Sequence, residues 1–383
     1  MKKVYADNSA TSFPKAPGVS AAIKDFLDNA CCNINRGGYE ASYNTALEIL
    51  EARKHLCGMF KFDEPRNVIF TPGLTYSLNM ILLGFLKAGD HVVTTSVEHN
   101  SVMRPLCVLG ERGVEHSIVA CDGDGALDPA GIARQINPRT KAVIMTHASN
   151  VCGTVLPIYD VADICAKHGL KLIVDSAQTA GVLDIDMAYI DALAFTCHKG
   201  LLAAQGSGGF IVKSDMAEKI MPLVTGGTGS LSGETVQPGF LPDKFEAGTM
   251  NIPAIIGLKR SLEYINSVGV KNIFEKERKL TEKFLGEIRG VEGVRVTGKQ
   301  DTKGRIAVIS LDFTARDNAA VAAALDTDYG IMTRCGLHCA ANAHKTLGTY
   351  PKGTVRFSFG HFNTEDEIEY IARSVKEILK RPV

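Results

Sequence analysis

The sequence predicts an α/β protein: a large domain with a mostly parallel sheet covered by helices, then a smaller α+β C-terminal domain. Three observations predict it. Short apolar runs alternate with segments of helical spacing through the first half, the pattern of strands buried on both faces. From about residue 294 the signals change to strands mixed with helices, the order of an α+β unit. And 383 residues are more than one small core needs and enough for two domains.

Taken in order, a short extended arm with Pro14 and Pro17 comes first. Residues 68–70 and 91–95 read as strands, with a helix-like 77–86 between them. Residues 142–145, 172–174, 193–195 and 209–212 continue the strand series, and 160–168 has helical spacing. A Gly- and Pro-rich stretch over 225–242 interrupts it and reads as a long functional loop. Pro253 then starts a helical region to about residue 288. Beyond it, 306–311 and 354–358 read as strands, 318–325 and 364–379 as helices. The division expected is an arm (1–15) packing with the small domain, a large domain (16–252), linking helices (253–290) and the small domain (291–383).

Composition excludes several classes. Lys plus Arg and Asp plus Glu balance at 42 each, so neither nucleic acid nor an acidic membrane surface is the expected partner. The first residues lack the apolar core of a signal peptide, and no segment approaches the roughly 18 apolar residues of a membrane span. A soluble, cytoplasmic protein is expected. The ten cysteines are scattered without framework spacing, and most are expected to be small buried residues. Cys335 and Cys339, with His338 between them, lack the two further ligands zinc would need, so no metal is expected. Asp122-Gly123-Asp124-Gly125 lacks the later ligands of a calcium loop and reads as a turn.

Asp175 closes the apolar run 171–174 and is followed by Ser176, Ala177 and Gln178. Lys199 follows Thr196, Cys197 and His198, after the run 192–195. Both side chains are expected at the C-terminal edge of the sheet, where α/β folds hold their ligands. Either residue alone reads better as a surface loop residue. Together, with a Gln, a hydroxyl and a His at fixed offsets, they match the needs of pyridoxal phosphate (PLP). Its aldehyde requires a lysine amine, and its pyridine nitrogen requires a carboxylate that keeps it protonated as an electron sink.

The phosphate of such a cofactor needs a cradle. Phe70-Thr71-Pro72-Gly73-Leu74-Thr75 leads from a strand through a Gly turn into a helix, whose free N–H groups face an anion. Thr75 and His198 could add donors. Gly248-Thr249 sits in another turn before a helix, for which a simple cap is an equal reading. His99, directly after a strand, could lie against the cofactor ring, and Asn150 or Gln178 could bond its hydroxyl. Cys339 follows a Gly turn, beside His338 and near Arg334, a setting for a reactive thiol; a buried structural cysteine is the plain alternative. Arg356, alternating outward from apolar neighbours, could clamp a carboxylate bidentately, with a surface arginine as the plain alternative.

On these residues the chain resembles the cysteine desulfurases of the class V aminotransferase, fold-type-I PLP group. The resemblance runs essentially end to end, through 5–11, Asn35-Arg36-Gly37, 98–101, 149–153, 175–178, His198-Lys199, 245–249, 336–339 and Val355-Arg356. The compact Arg-x-Gly-x-His-Cys-Ala around Cys339 is similar to the SUF-type (group II) members. The resemblance implies a homodimer with sites at the subunit interface, Thr249 reaching the neighbour's cofactor phosphate. It also implies that Lys199 holds the cofactor and moves protons, that Asp175 pairs with the pyridinium, and that His99 stacks on the ring. Gly73, Leu74, Thr75, Asn150, Gln178, Thr196 and His198 would complete the cofactor site. Arg356, with Arg334 and Asn150, would bind the carboxylate of L-cysteine. Cys339 would attack the substrate sulfur, leaving a persulfide for a sulfur-acceptor protein and releasing alanine. L-Selenocysteine as substrate, or an aminotransferase or epimerase on the same fold, are the alternative activities. The chain departs from the family pattern at Leu74, Tyr76, Leu337 and Ala341-Asn342. Cys335 is not expected to relay sulfur.

Overall fold

The structure, a computed structural model, describes residues 2–34 and 37–382, so Asn35 and Arg36 of the motif above lie outside the described residues. In chain order the elements begin with β1 (Val4–Tyr5), α1 (Val19–Asn29), α2 (Glu40–Phe60), β2 (Val68–Thr71), α3 (Leu74–Phe85), β3 (His91–Thr95), α4 (Asn100–Glu111) and β4 (Glu115–Val119). Next come α5 (Pro129–Gln135), β5 (Thr140–Thr146), α6 (Ile158–His168), β6 (Lys171–Asp175), β7 (Ala192–Thr196), β8 (Gly208–Val212) and α7 (Ser214–Ala217). The second half holds α8 (Ile252–Val268), α9 (Val270–Ile288), β9 (Val294–Thr297), β10 (Val308–Phe313), α10 (Asn318–Tyr329), β11 (Ile331–Met332), β12 (Arg334–Gly336), α11 (Ala341–Thr346), β13 (Thr354–Ser358) and α12 (Glu365–Lys380).

A seven-stranded sheet runs in the order β2-β8-β7-β6-β5-β3-β4. β8 is antiparallel to both neighbours, and the pairs from β7 to β4 are parallel. Its strands are apolar throughout because both faces are covered. Ala142, Ile144, Ile173, Ala192 and Ala194 pack on one side with α3 and α4 residues such as Leu78 and Leu106. Val143, Met145, Leu172, Val174, Leu193 and Phe195 pack on the other with α2, α6 and α8. Alternate residues thus enter different cores, which is why no polar period of two survives.

The C-terminal sheet is four-stranded and antiparallel, in the order β12-β13-β10-β9. Its core takes Val355 and Phe357 together with Phe284 of α9, Leu325 of α10 and Ile371 of α12. Val4 and Ala6 belong to the same core, and β1 pairs in parallel with β11, Val4 opposite Ile331.

The helical region expected from residue 253 is two helices, divided at Gly269 with φ 88°, the left-handed conformation glycine adopts freely. Among the described residues no helix is long and apolar enough to cross a membrane, and no cluster of potential metal ligands is present.

Candidate active site

The parallel strands β5, β6 and β7 finish side by side, with Thr146 opposite Asp175 and Asp175 opposite Ala194. The turns that follow carry Asn150, Gln178 and Lys199 into one cleft, lined also by Gly73, Leu74, Thr75, His99, Ser101, Thr196 and His198. The cofactor residues expected from the sequence, Thr249 apart, therefore meet around one space, whose lining does not include Arg334, Cys339 or Arg356.

Asp175 is buried. Its Oδ1 accepts the Ala177 N–H at 2.8 Å and its Oδ2 the Ser101 hydroxyl at 3.3 Å. Burial pushes its pKa up, against those bonds and the pull of Lys199. Lys199 is lowered to about 8, first by burial, with Arg356 and Arg334 acting the same way and Asp175 opposing. The amine is thus deprotonated far more readily than an ordinary lysine. His99 caps α4: its Nδ1 accepts the Ser101 N–H at 3.0 Å, which places the ring proton on Nε2. Burial, then Lys199 and three arginines, hold its pKa near 4, so the ring is neutral.

The start of α3 has Gly73 as its N-cap residue and no side-chain cap. The first intrahelical bond there runs from Ser77 N to Gly73 O, so the N–H groups of Leu74, Thr75 and Tyr76 have no partner within the helix. The Leu74 side chain itself is in the core, leaving only its backbone for a ligand. His198 Nδ1 is buried without a hydrogen-bond partner among the described residues. An uncapped helix N-terminus, a buried carboxylate with no salt bridge among the described residues and a lysine of lowered pKa fit PLP at its phosphate, its ring nitrogen and its aldehyde.

The C-terminal sheet brings the second half of the site. Arg334 lies directly opposite Arg356 across β12 and β13. After β12 the chain turns through His338 (φ 50°) and Cys339 (φ 58°), two successive left-handed residues that lack glycine's freedom. Two bonds tie this turn to the large domain, Asn100 N–H to the Cys339 carbonyl at 2.8 Å and Asn150 Nδ2 to the His338 carbonyl at 2.8 Å. Cys339 is exposed, with Arg334 Nη2 3.7 Å from its sulfur. The plain alternative of a buried structural cysteine does not apply to it. Cys335 packs against the C-terminal core, where burial raises its pKa. The expectation that most cysteines are buried is not met: Cys57, Cys121, Cys152, Cys165 and Cys197 are buried, while Cys31, Cys32, Cys107, Cys335 and Cys339 are partly or fully exposed.

Arg356 requires a correction. Its side chain is 1 % exposed, not outward in solvent. The alternation reading was right about the strand, since Val355 and Phe357 do face the C-terminal core. The opposite face, however, lies against the arm and the β5–α6 connection, where Arg356 donates to the Asn150 carbonyl at 3.0 Å and to Asp7 at 2.8 Å. Thr249 is the one expected cofactor residue outside the cleft. It is exposed, accepts from Asn33 Nδ2 at 3.4 Å and lines a neighbouring depression with Tyr76 and Gly206.

Sequence reasoning missed Ser101, which joins His99 to Asp175, and the N-terminal arm as part of the site. The His198 carbonyl accepts from Ser12 N at 2.8 Å and from Thr11 Oγ1 and Lys15 Nζ at 3.0 Å each. The available signal was the polar run from Asp7 to Thr11, unusual for an arm that merely packs.

Comparison with known proteins adds four findings. The family model described as aminotransferase class-V matches residues 4–371. The chain is 32 % identical to a probable cysteine desulfurase of Methanothermobacter thermautotrophicus, over 98 % of this chain and 94 % of that protein. The apo structure of a cysteine desulfurase from Thermococcus onnurineus NA1 superposes with a TM-score of 0.92 at 31 % identity, covering 99 % of this chain and 95 % of that one. The Escherichia coli cysteine desulfurase CsdA is similar at a TM-score of 0.88 and 25 % identity, over 100 % of this chain and 96 % of that one.

Proposed function

The chain belongs to the class V aminotransferases and, within them, to the PLP-dependent cysteine desulfurases, and we propose that it moves the sulfur of L-cysteine onto Cys339. The observation that carries this reading is the docking of the Cys339 turn on Asn100 and Asn150, which sets an exposed thiol beside the cleft of Lys199 and Asp175.

PLP, when bound, supplies an electron sink for the bonds of the substrate's α- and β-carbons. The remaining work falls to side chains. The α3 N-terminus, Thr75, Thr196 and His198 would hold the phosphate end. Asp175, oriented by Ser101 and Ala177, would pair with the ring nitrogen, and neutral His99 would offer its Nε2–H and its ring to the cofactor. Gln178 and Asn150 line its hydroxyl side. Lys199, a free amine for much of its population near pH 8, takes the proton from the substrate α-carbon and returns it.

Arg356 receives the substrate carboxylate, with Arg334 and Asn150 beside it. The Cys339 thiolate attacks the substrate sulfur, forming an S–S bond as the carbon–sulfur bond breaks. The electron pair of the broken bond stays with the carbon skeleton, which takes up a proton and leaves as alanine. Arg334 offers a donor to negative sulfur. The persulfide then passes to the thiol of an acceptor protein.

We place the active form as a homodimer. Large apolar side chains stand exposed on α2, Tyr43 at 62 % and Leu47 at 58 %, and Val236 and Phe240 in the loop after α7. Thr249, outside its own cleft, is then free to serve the neighbour's.

The deciding experiment is Cys339→Ala in the PLP-loaded protein. Sulfide release from L-cysteine with reductant should fall by about 100-fold or more while the bound-cofactor absorption persists. Unchanged release would sink the assignment of Cys339.

A further inference from the structure

The arm from residue 5 to 15 crosses the site and directs its polar groups at three places in it. Asp7 Oδ1 accepts from Arg356 Nη2 at 2.8 Å. The Ser9 carbonyl accepts from Gln178 Nε2 at 3.2 Å. Thr11, Ser12 and Lys15 converge on the carbonyl of His198, immediately before Lys199. The arm is itself fixed at its start by the pairing of β1 with β11 and by a bridge between Asp7 and Ser358. Asp7 therefore approaches Arg356 from a rigid support, not from a free tail.

A guanidinium has five N–H donors in one plane. In Arg356, Nη1 is taken by the Asn150 carbonyl at 3.0 Å and Nη2 by Asp7. Nε is buried and has no partner among the described residues. Two groups from distant segments thus pin two corners of the plane, and the third corner keeps an unfilled donor. A buried cation with an unfilled donor is costly unless an acceptor arrives. A carboxylate, which takes the Nε and Nη edge bidentately, is the complementary group.

We propose that Asp7 is the positioning residue of Arg356. It fixes the guanidinium plane so that Nε and the second Nη2 hydrogen face the substrate's α-carboxylate, and so sets the preference for α-amino acids over amines without that group. The inference rests on Arg356 being the carboxylate-binding residue of the function proposed above.

The test uses the full-length PLP-loaded protein and the variants Asp7→Asn, Asp7→Glu, Arg356→Ala and Asp7→Asn/Arg356→Ala. Three quantities are read: KM and kcat for L-cysteine, the affinity for unreactive L-alanine, and the affinity for cysteamine, which has the amine and thiol but no carboxylate. Both affinities come from the change in cofactor absorption, with cofactor content and circular dichroism as controls. Asp7→Asn should raise KM for L-cysteine and weaken L-alanine by about tenfold or more, with kcat within about threefold and cysteamine within about twofold. Asp7→Glu, which keeps the charge but shifts its place, should fall between, and Asp7→Asn should add nothing once Arg356 is Ala. An unchanged KM, or equal weakening of L-cysteine and cysteamine, would overturn the proposal. Should Asp7→Asn fail to hold cofactor, the Asp7→Glu ratio of L-alanine to cysteamine affinity decides alone. Wild-type protein that releases no sulfide, yet loses L-alanine affinity on Asp7→Asn, would refute the desulfurase reading and leave Asp7 in its role.

Discussion

Glu277 on α9 lies behind Lys199, lining a small cavity with Asn8, Ser12 and Gln178. Burial pushes its carboxyl up from 4.5 to about 8, opposed by a hydrogen bond from the His361 backbone and by the charge of Lys276. Between those values the folded protein keeps a proton that the unfolded chain has lost. Stability from this group is therefore present below pH 4.5 and lost as pH rises towards 8. Glu277→Gln removes the dependence, and its stability relative to wild type should climb between pH 5 and pH 8 by roughly 1–4 kcal/mol. Denaturant titrations at the two pH values measure it; parallel curves would show that Glu277 finds a partner when ionised. At this scale the sequence was legible where chemistry follows an apolar run: Asp175, Lys199 and His99 each end or follow a strand and each reached the cleft. Arg356 was not, because alternation reports which face a residue takes but not what covers that face. Glu277 was illegible for a related reason, since on a charged helix one buried acid looks like its exposed neighbours.

Among the elements, the anion cradle depends on a strand that offers it no side chain. β8 passes so close to the turn before α3 that a Cβ on Gly208 would lie 2.7 Å from the Gly73 Cα and 2.8 Å from the Phe195 carbonyl oxygen. Both neighbours are backbone and have little room to give. Gly208→Ala should destabilise the protein by about 1–3 kcal/mol. It should also weaken PLP retention, because the displaced atom belongs to the phosphate turn. Thermal melting and cofactor content after gel filtration report the two effects; a variant that melts lower yet holds PLP normally would separate the cradle from β8. Strands were read well because both faces are buried and their runs are continuous. Helices were read less well. α2 carries apolar residues on its exposed face as well as its buried one, which blurs the helical period. α4 contains Pro105 within its span, a residue normally taken as a stop.

For the whole molecule, the exposed apolar side chains of α2 and the loop after α7 predict association. Sedimentation velocity at micromolar concentration should give a particle of twice the 41.1 kDa chain mass, and adding a charge at Leu47 (Leu47→Glu) should shift it towards one chain. A wild-type species at the single-chain mass would end the idea that Thr249 serves a neighbour. The two-sheet architecture was visible from the change of pattern near residue 294. The joining of the arm to the far end of the chain was not, because a two-residue strand carries no periodicity and its partner lies more than three hundred positions away.

That junction has a consequence for how the protein is made. Asp7 and Arg356 are separated by 349 positions, and the strand that receives Val4 begins only at Ile331. A growing chain that already includes Asp175 and Lys199 still lacks Arg356 and Cys339. Val4 and Asp7 have these partners only once Ile331 and Arg356 have been made, whereas Thr11, Ser12 and Lys15 find theirs at His198. The pairing of the arm with the C-terminal domain is therefore a step that only a nearly full-length chain can make, and it comes after the strands that carry Asp175 and Lys199 have been synthesised.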